Sequence, residues 1–173
     1  AMTGGSSQTT DINRQLAIAA RETSLPMASG SMSAYLKDPS TAESYRVLRT
    51  ENPNGYVIAN LNPYATPDAA QRAIDLVAAD AVQIHINSIQ ETAMAEGDRD
   101  FSSWPARIET LAQALDRPVI VKEVGFGLSR ETIAQLAQMG VRAADVSGRG
   151  GTNFALIEDS RRIHSAYAFL GDW

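Results

Sequence analysis

The sequence contains no cysteine among its 173 residues and only two histidines, His85 and His164. Without cysteine the chain can form no disulfide, no thiolate metal site and no cysteine nucleophile. Two histidines are too few for a zinc site built from several imidazoles. These absences fit a protein of the cytoplasm, which is the location we expect.

Long apolar runs and concentrated positive charge are also missing. No apolar stretch approaches the roughly 20 residues needed to span a bilayer, and no signal peptide opens the chain. The net charge is −5 and Lys or Arg residues never cluster beyond a pair, so we expect neither a membrane nor a nucleic acid as partner. The composition, 44% hydrophobic and 20% charged, is ordinary for one globular domain with a sizeable core.

The chain instead alternates short apolar runs with helical patterns. The apolar runs are residues 26–31, 55–61, 81–87, 118–124 and 143–148, and helical periodicity occupies 10–24, 66–79, 103–115 and 129–140, with a further helix beginning at 153. Strands that alternate with helices indicate a parallel sheet joined by helical crossovers.

This alternation predicts an α/β fold of the (β/α)8 TIM-barrel type. Counting residues 1–5 as the end of one more strand gives about six strands. We therefore predict a single, incomplete barrel domain over residues 1–173, holding strands 1 to 6 and lacking an N-terminal segment and the last strands. An open doubly wound sheet is the alternative topology, although no dinucleotide-binding glycine motif follows an early strand.

The run at 81–87 carries a row of polar residues. Its alternate positions are Gln83, His85 and Asn87, and Gln90 with Glu91 follow directly. In a closed barrel such a row faces the interior, where polar groups are costly unless they have partners. The row therefore predicts a strand that ends in a ligand site, and the alternative is an edge strand with an ordinary polar face.

Chemically versatile residues recur at the predicted carboxyl ends of the other strands, where barrels place their sites. Either Lys122 or Glu123 faces the interior, and a lysine there would suit an anionic or electron-rich cofactor, or a Schiff base. The glycine-rich segment SGRGGTNF, residues 147–154, could hold a phosphate. Glu91 could bind Mg²⁺ beside a diphosphate, and His85 could be structural, a metal ligand or an acid–base group.

The segments AMTGG, IAARE, GSM, ANL, QIHINSIQE, EGDR, VIVKEVGFG and SGRGGTNF, in this order and spacing, resemble type 2 isopentenyl-diphosphate Δ-isomerase. The resemblance runs nearly from end to end. It implies a cytoplasmic (β/α)8 flavoprotein of isoprenoid biosynthesis that interconverts isopentenyl and dimethylallyl diphosphate by adding and removing protons. It also implies reduced FMN, Mg²⁺, NADPH as reductant, and a homo-oligomer, either a tetramer or an octamer.

Roles carry over to the matching positions of this sequence. The implied flavin contacts are Ala1, Met2, Thr3, Ser31, Asn60, Lys122, Ser147 and Thr152. The implied substrate contacts are Ser31, Ser33, His85, Asn87 and Gln90, of which His85, Asn87 and Gln90 are the expected catalytic residues. Glu91 is the implied Mg²⁺ ligand, and Lys122 is expected beside the N1–C2 edge of the flavin.

Two parts of the family pattern are absent. The N-terminal basic residues that hold the diphosphate are missing, and so are the later glycine-rich strands that hold the FMN phosphate. We therefore expect the 173-residue chain by itself to be inactive or poorly flavinated. Two alternatives stay open: another FMN-dependent barrel enzyme such as a 2-hydroxy-acid oxidase, and an inactive barrel fragment that serves as a folding or interaction module.

Overall fold

The computed structural model of the chain describes residues 3–146, 148, 150, 152–164 and 166–172. For residues 171 and 172 it describes the backbone only. Five strands form one parallel sheet in the order β1-β2-β3-β4-β5. The strands are β1 (Met27–Ser31), β2 (Val57–Leu61), β3 (Ala81–His85), β4 (Val119–Lys122) and β5 (Ala143–Asp145).

This strand order decides between the two predicted topologies. Each crossover places the next strand on the same side of the previous one, whereas a doubly wound sheet reverses direction at a switch point. The sheet consists of successive β/α units of the barrel type, and over the described residues it is open between β1 and β5. Strand β3 lies at the centre of the sheet, so it is not an edge strand.

Eight α-helices surround the sheet in the described part of the chain. They are α1 (Ser7–Thr23), α2 (Ser33–Lys37), α3 (Glu43–Glu51), α4 (Pro67–Val77), α5 (Ser88–Ala93), α6 (Trp104–Ala114), α7 (Arg130–Gln138) and α8 (Phe154–Ser160), with 3₁₀ turns at Pro39–Ala42 and Ala168–Asp172. The predicted helices correspond to α1, α4, α6, α7 and α8 and are confirmed. Helices α2, α3 and α5 were not predicted, because they are short or mostly polar.

Local signals account for the helix ends that the sequence predicts. Thr66 accepts a hydrogen bond from the Ala69 N–H at 3.2 Å, which starts α4. Ser129 accepts one from the Thr132 N–H at 3.1 Å and starts α7. Gly140, just beyond α7, has φ +88°, which only glycine adopts without strain.

Of the strand end predicted at residues 1–5, the structure describes only the last three residues. Thr3, Gly4 and Gly5 form no strand, and residues 1 and 2 lie outside the described part. A Cβ added to Gly4 would lie 2.3 Å from Cε1 of buried Tyr45, and the φ of Gly4 is +142°. Gly4 and Gly5 therefore turn against this ring just beyond Thr3, whose carbonyl accepts a hydrogen bond from the Gly30 N–H of β1 at 3.0 Å, and a strand that ends before Gly4 stays a prediction.

The sheet has two chemically different faces. The face that packs against the helices is apolar, and its core includes Val57, Leu61, Val82, Ile84 and Val121. The opposite face corresponds to the interior of a barrel. Because neighbouring residues in a strand point to opposite sides, this inner face receives the polar residues.

Candidate functional site

A row of polar side chains crosses the inner face of the sheet. His85 on β3 is in register with Lys122 on β4, which is in register with Asp145 on β5. Residues that pair in parallel strands project to the same side, so these three share the inner face. Gln83 shares it as well and pairs with Asn60 on β2. The predicted inward orientation of Gln83 and His85 is confirmed.

His85 is a buried, hydrogen-bonded imidazole. Only 7% of the residue is exposed, and its Nδ1 lies 3.1 Å from Oδ1 of Asn60, which is 1% exposed. Burial, followed by the positive charge of Lys122, lowers the pKa of His85 to about 4. A backbone hydrogen bond to Leu61 acts in the opposite direction on this pKa. The ring is therefore neutral at pH 7, and the contact with Asn60 Oδ1, which can only accept, favours the tautomer with the proton on Nδ1.

Lys122, rather than Glu123, is the residue that faces inward. The carboxylate of Glu123 accepts hydrogen bonds from the backbone N–H groups of Gly125 at 2.6 Å and Phe126 at 2.5 Å, so it holds the turn after β4. The Lys122 ammonium donates to the Glu123 carbonyl at 2.8 Å. Burial lowers the pKa of Lys122, while the carboxylates of Asp145 and Glu123 act in the opposite direction.

A second cluster follows β3 at the start of α5. Asn87 precedes the helix, and its Nδ2 donates to Glu91 Oε1 at 3.0 Å and to Gln90 Oε1 at 3.3 Å. The other Glu91 oxygen, Oε2, accepts from the backbone N–H of Asp98 at 3.0 Å. The structure thus brings together Asn87, Gln90 and Glu91 as the sequence predicts.

Glu158 belongs to this cluster although the sequence did not point to it. Its Oε1 accepts a hydrogen bond from Gln90 Nε2 at 2.9 Å, and its Oε2 pairs with Arg161. Glu158 lies on α8, far along the chain from Gln90, and is 8% exposed. A glutamate in a short helix is ordinarily a solvent-exposed charge, so no local feature of the sequence could have identified Glu158 as part of the cluster.

The end of β1 forms the remaining part of the rim. Ser31 Oγ donates to Ser33 Oγ at 3.1 Å, and the Tyr45 hydroxyl donates to the Ser31 carbonyl at 2.6 Å. The Gly30 N–H donates to the Thr3 carbonyl at 3.0 Å, which brings Thr3 beside the same strand. Ser33 is the first residue of α2.

Buried Asn13 of α1 ties Thr3 in place. The Thr3 hydroxyl donates to Asn13 Oδ1, and Asn13 Nδ2 donates to the carbonyls of Ser44 at 2.5 Å and of Thr3 at 3.4 Å. Sequence reasoning missed Asn13, because its amide lies on a helix face that otherwise buries alanine.

Thr152 is exposed, just before Asn153, whose side chain caps the start of α8 by accepting from the Leu156 N–H at 3.1 Å. The predicted flavin contacts Ala1, Met2 and Ser147 lie outside the described residues.

The side chains at the rim fit the groups that the resemblance implies. Within the described ranges, no three or more His, Asp or Glu side chains are grouped so that they could hold a metal ion. One carboxylate nevertheless suits Mg²⁺, which often uses one or two protein carboxylates together with water and substrate phosphates. The inner row combines an amide, a neutral imidazole and an ammonium, which suits a ring with polar edges and negative charge.

The fold is a barrel-type α/β fold, and the candidate ligand site lies at the carboxyl ends of its parallel strands. No helix of the described part has the length and apolar character to cross a membrane.

Curated relatives are similar to the chain over its whole length. It is 66% identical over 173 residues to an isopentenyl-diphosphate delta-isomerase of Streptomyces sp. (strain CL190) and 65% identical to one of Nocardia farcinica (strain IFM 10152). Its identity to the protein of that name from Listeria monocytogenes serotype 4a (strain HCC23) is 53%. In each case all of this chain matches 48% of the relative, so the chain spans about half the length of these proteins.

Other comparisons are more distant. No protein-family model matches the chain. Among solved structures, xylanase 10B from Thermotoga petrophila RKU-1 is 13% identical with a TM-score of 0.47, covering 80% of this chain and 52% of the xylanase. A 3-hexulose-6-phosphate synthase is 12% identical with a TM-score of 0.32, covering 77% of this chain and 83% of the synthase.

Proposed function

We propose that the protein containing this chain is an FMN-dependent, type 2 isopentenyl-diphosphate isomerase. The observation that carries the proposal is the convergence of Asn60, His85 and Lys122 on the inner face with Gln90 and Glu91 just beyond β3. The identity to proteins named isopentenyl-diphosphate delta-isomerase supports the reaction. The type, with its flavin and Mg²⁺, rests on the resemblance of the motifs and on the fit of these side chains.

In this proposal the inner row binds the flavin and orients the substrate. Bound reduced FMN would supply acid–base chemistry at the allylic carbons. Lys122 would stabilise negative charge on the flavin, and Asn60 would offer an amide to the ring as well as holding His85. Neutral His85 would present Nε2 to the substrate side, which suits an acceptor or a general base better than a permanent cation.

The cluster at α5 would position the diphosphate end and the reacting carbons. Glu91 would bind Mg²⁺, which neutralises the diphosphate and holds it in place. Gln90 would approach the reacting carbons from a side chain whose amide is already oriented by Glu158. Since a glutamine is not an acid at neutral pH, its role is to orient and to hydrogen-bond rather than to supply a proton.

The test is an assay of the full-length protein under anaerobic conditions. With FMN, NADPH, Mg²⁺ and isopentenyl diphosphate we expect dimethylallyl diphosphate, and the purified protein should show a flavin absorption spectrum. Removing the bound flavin should abolish product and adding FMN back should restore it, and Glu91→Gln should lower activity at limiting Mg²⁺. A full-length protein that stays colourless, or that makes no product while Glu91→Gln behaves like the wild type, would contradict the proposal.

The same preparation tests the alternative chemistry. Oxidation of a 2-hydroxy acid to the 2-oxo acid, with transfer of its two electrons to the bound flavin, would point to a 2-hydroxy-acid oxidase. We expect no flavin reduction by such substrates.

A further inference from the structure

The charged segment after α5 is folded back onto that helix by Arg99. The sequence pattern of residues 96–101 predicts a flexible, solvent-exposed loop, and most of its residues are indeed exposed. The guanidinium of Arg99, however, donates to four backbone carbonyls: those of Glu91 at 2.7 Å, Gly97 at 2.6 Å, Asp98 at 3.0 Å and Met94 at 2.9 Å. A single side chain therefore joins the end of α5 to the loop that follows.

These contacts supply hydrogen-bond donors at the carboxyl end of α5. The helix ends at Ala93, and the Met94 N–H makes the last helical bond, to the Gln90 carbonyl at 2.9 Å. The carbonyls beyond Gln90 lack helical donors, and a cation is favourable at that end of a helix. The planar fork of an arginine can serve several carbonyls at once, which a lysine ammonium cannot do in the same geometry.

Gly97 allows this close return of the chain. A Cβ at Gly97 would lie 2.0 Å from the Glu91 carbonyl oxygen, a distance that backbone atoms cannot accommodate without moving. The glycine and the arginine therefore place the next residue, Asp98, where its N–H reaches Glu91 Oε2 at 3.0 Å. Together with the bond from Asn87 to Oε1, this donor sets the direction in which the Glu91 carboxylate points.

We propose that Arg99 is a positioning residue, which orients the Glu91 carboxylate for a divalent cation by holding the 94–99 loop against α5. This inference rests on the proposed function, in which Glu91 is the metal ligand. Arg99 itself touches neither the cation nor the substrate. Its effect passes through the backbone N–H of Asp98, so it should alter metal affinity more than the chemistry at saturating metal.

The experiment uses the full-length protein with FMN and isopentenyl diphosphate, and Mn²⁺ as the probe, detected by electron paramagnetic resonance. We expect Arg99→Ala to weaken Mn²⁺ binding by about 10-fold to 100-fold, the range typical of residues that orient a metal ligand. Added guanidinium should restore part of the affinity, and Arg99→Lys should restore little of it. Hydrogen exchange at the Asp98 amide should become faster, a change that is measured without any metal.

Two further variants make the result decisive. Arg72→Ala removes an exposed arginine of α4 that pairs with Asp68 on the surface, and it should leave Mn²⁺ affinity unchanged. Gly97→Ala should weaken Mn²⁺ binding in the same sense as Arg99→Ala, because it displaces the same loop from the Glu91 carbonyl.

The outcomes separate this inference from the proposed function. If Glu91→Gln weakens Mn²⁺ binding while Arg99→Ala and Gly97→Ala do not, the positioning role is wrong and the proposed function stands. If Glu91→Gln itself binds Mn²⁺ as the wild type does, the assignment of the metal ligand is wrong, and the role of Arg99 falls with it.

Discussion

The two faces of the sheet differ both in exposure and in the way their side chains are stabilised. On the helix side Leu61, Ile84 and Val121 are fully buried, whereas Gln83 and Lys122 on the inner face are only partly buried. Ile84 on the helix side is 0% exposed, while its neighbour His85 on the inner side is 7% exposed and Asn60 is 1% exposed. Burial of Ile84 stabilises the fold, because its apolar side chain leaves water. Burial of His85 and Asn60 costs free energy, because their polar groups lose hydrogen bonds to water, and their mutual hydrogen bond offsets only part of that cost. At His85 and Asn60, burial alone does not distinguish the inner face from the apolar one, but the polar partners of these side chains do.

The largest expected effect comes from placing a charge on the apolar face. Ile84→Asp buries a carboxylate among apolar side chains, and we expect it to lower the free energy of unfolding by at least about 4 kcal/mol, enough to prevent folding. Gln83→Asp, one residue away on the inner face, is the matched control and should fold. Soluble yield and denaturant unfolding of the full-length variants measure this, and equal effects at both positions would refute the distinction between the faces.

Removing the charge of Lys122 on the inner face should lower activity without lowering the free energy of unfolding. Lys122→Met keeps the length of the side chain but deletes a half-buried charge, so we expect the proposed isomerase activity of the full-length protein to fall by about 10²–10³-fold, as when one charge-stabilising group is lost. The unfolding free energy should hold or rise, because the cost of desolvating the ammonium disappears.

The only other lysine of the sequence, Lys37, provides the control for that change. It lies exposed at the end of α2, and Lys37→Met should leave the activity within a factor of about two, in line with surface substitutions. A loss of stability in Lys122→Met comparable to its loss of activity would show that the lysine is structural.

The buried histidine predicts a pH dependence of stability. The pKa of His85 is about 4 in the folded chain and 6.5 in the reference state, so between these values the unfolded chain binds the proton and the folded chain does not. The contribution of His85 to the free energy of unfolding is complete above pH 6.5 and is lost as the pH falls towards 4. The loss is roughly 3 kcal/mol, at about 1.36 kcal/mol per pKa unit.

Unfolding curves of the full-length protein between pH 7 and 4 measure this slope. His85→Gln keeps a polar side chain but cannot titrate, so the slope in this window should become shallower. An unchanged slope in the variant would mean that another group causes it.

The smallest expected effect concerns the hydroxyl that connects the helix layer to the end of β1. Burial raises the pKa of Tyr45 to about 12, so the hydroxyl stays protonated and donates to the Ser31 carbonyl at neutral pH. Tyr45→Phe should lower the unfolding free energy by about 1 kcal/mol, the net value of one hydrogen bond. Exposed Tyr56 gives the control, since Tyr56→Phe should have an effect below about 0.5 kcal/mol.

Much of the architecture could be predicted because its signals are local. The five apolar runs contain the five strands, and Thr66, Ser129 and Gly140 lie where the sequence predicts helix ends. The failures came where distant residues decide the structure. The charged segment near Arg99 is held against α5 by hydrogen bonds to backbone carbonyls rather than left free.

The candidate site was predicted only in part, for the same reason. Asn87, Gln90 and Glu91 are neighbours in the chain, so one segment was enough to group them. Glu158 and Asn13 contribute through contacts with residues far away in sequence, and no spacing rule could have found them. The flavin, Mg²⁺, NADPH and the oligomeric state stay predictions.

The sequence by itself determined the alternation of strands and helices, and the polar row of β3, because the periods of two and of about 3.6 residues follow directly from backbone geometry. Only the tertiary structure decided that Lys122 rather than Glu123 faces inward, and that Asn60 supports His85. Register between strands and contacts between distant helices depend on how whole elements pack. The spacing of residues along a strand or helix indicates which side each side chain points to, but its contacts on that side depend on how the elements pack.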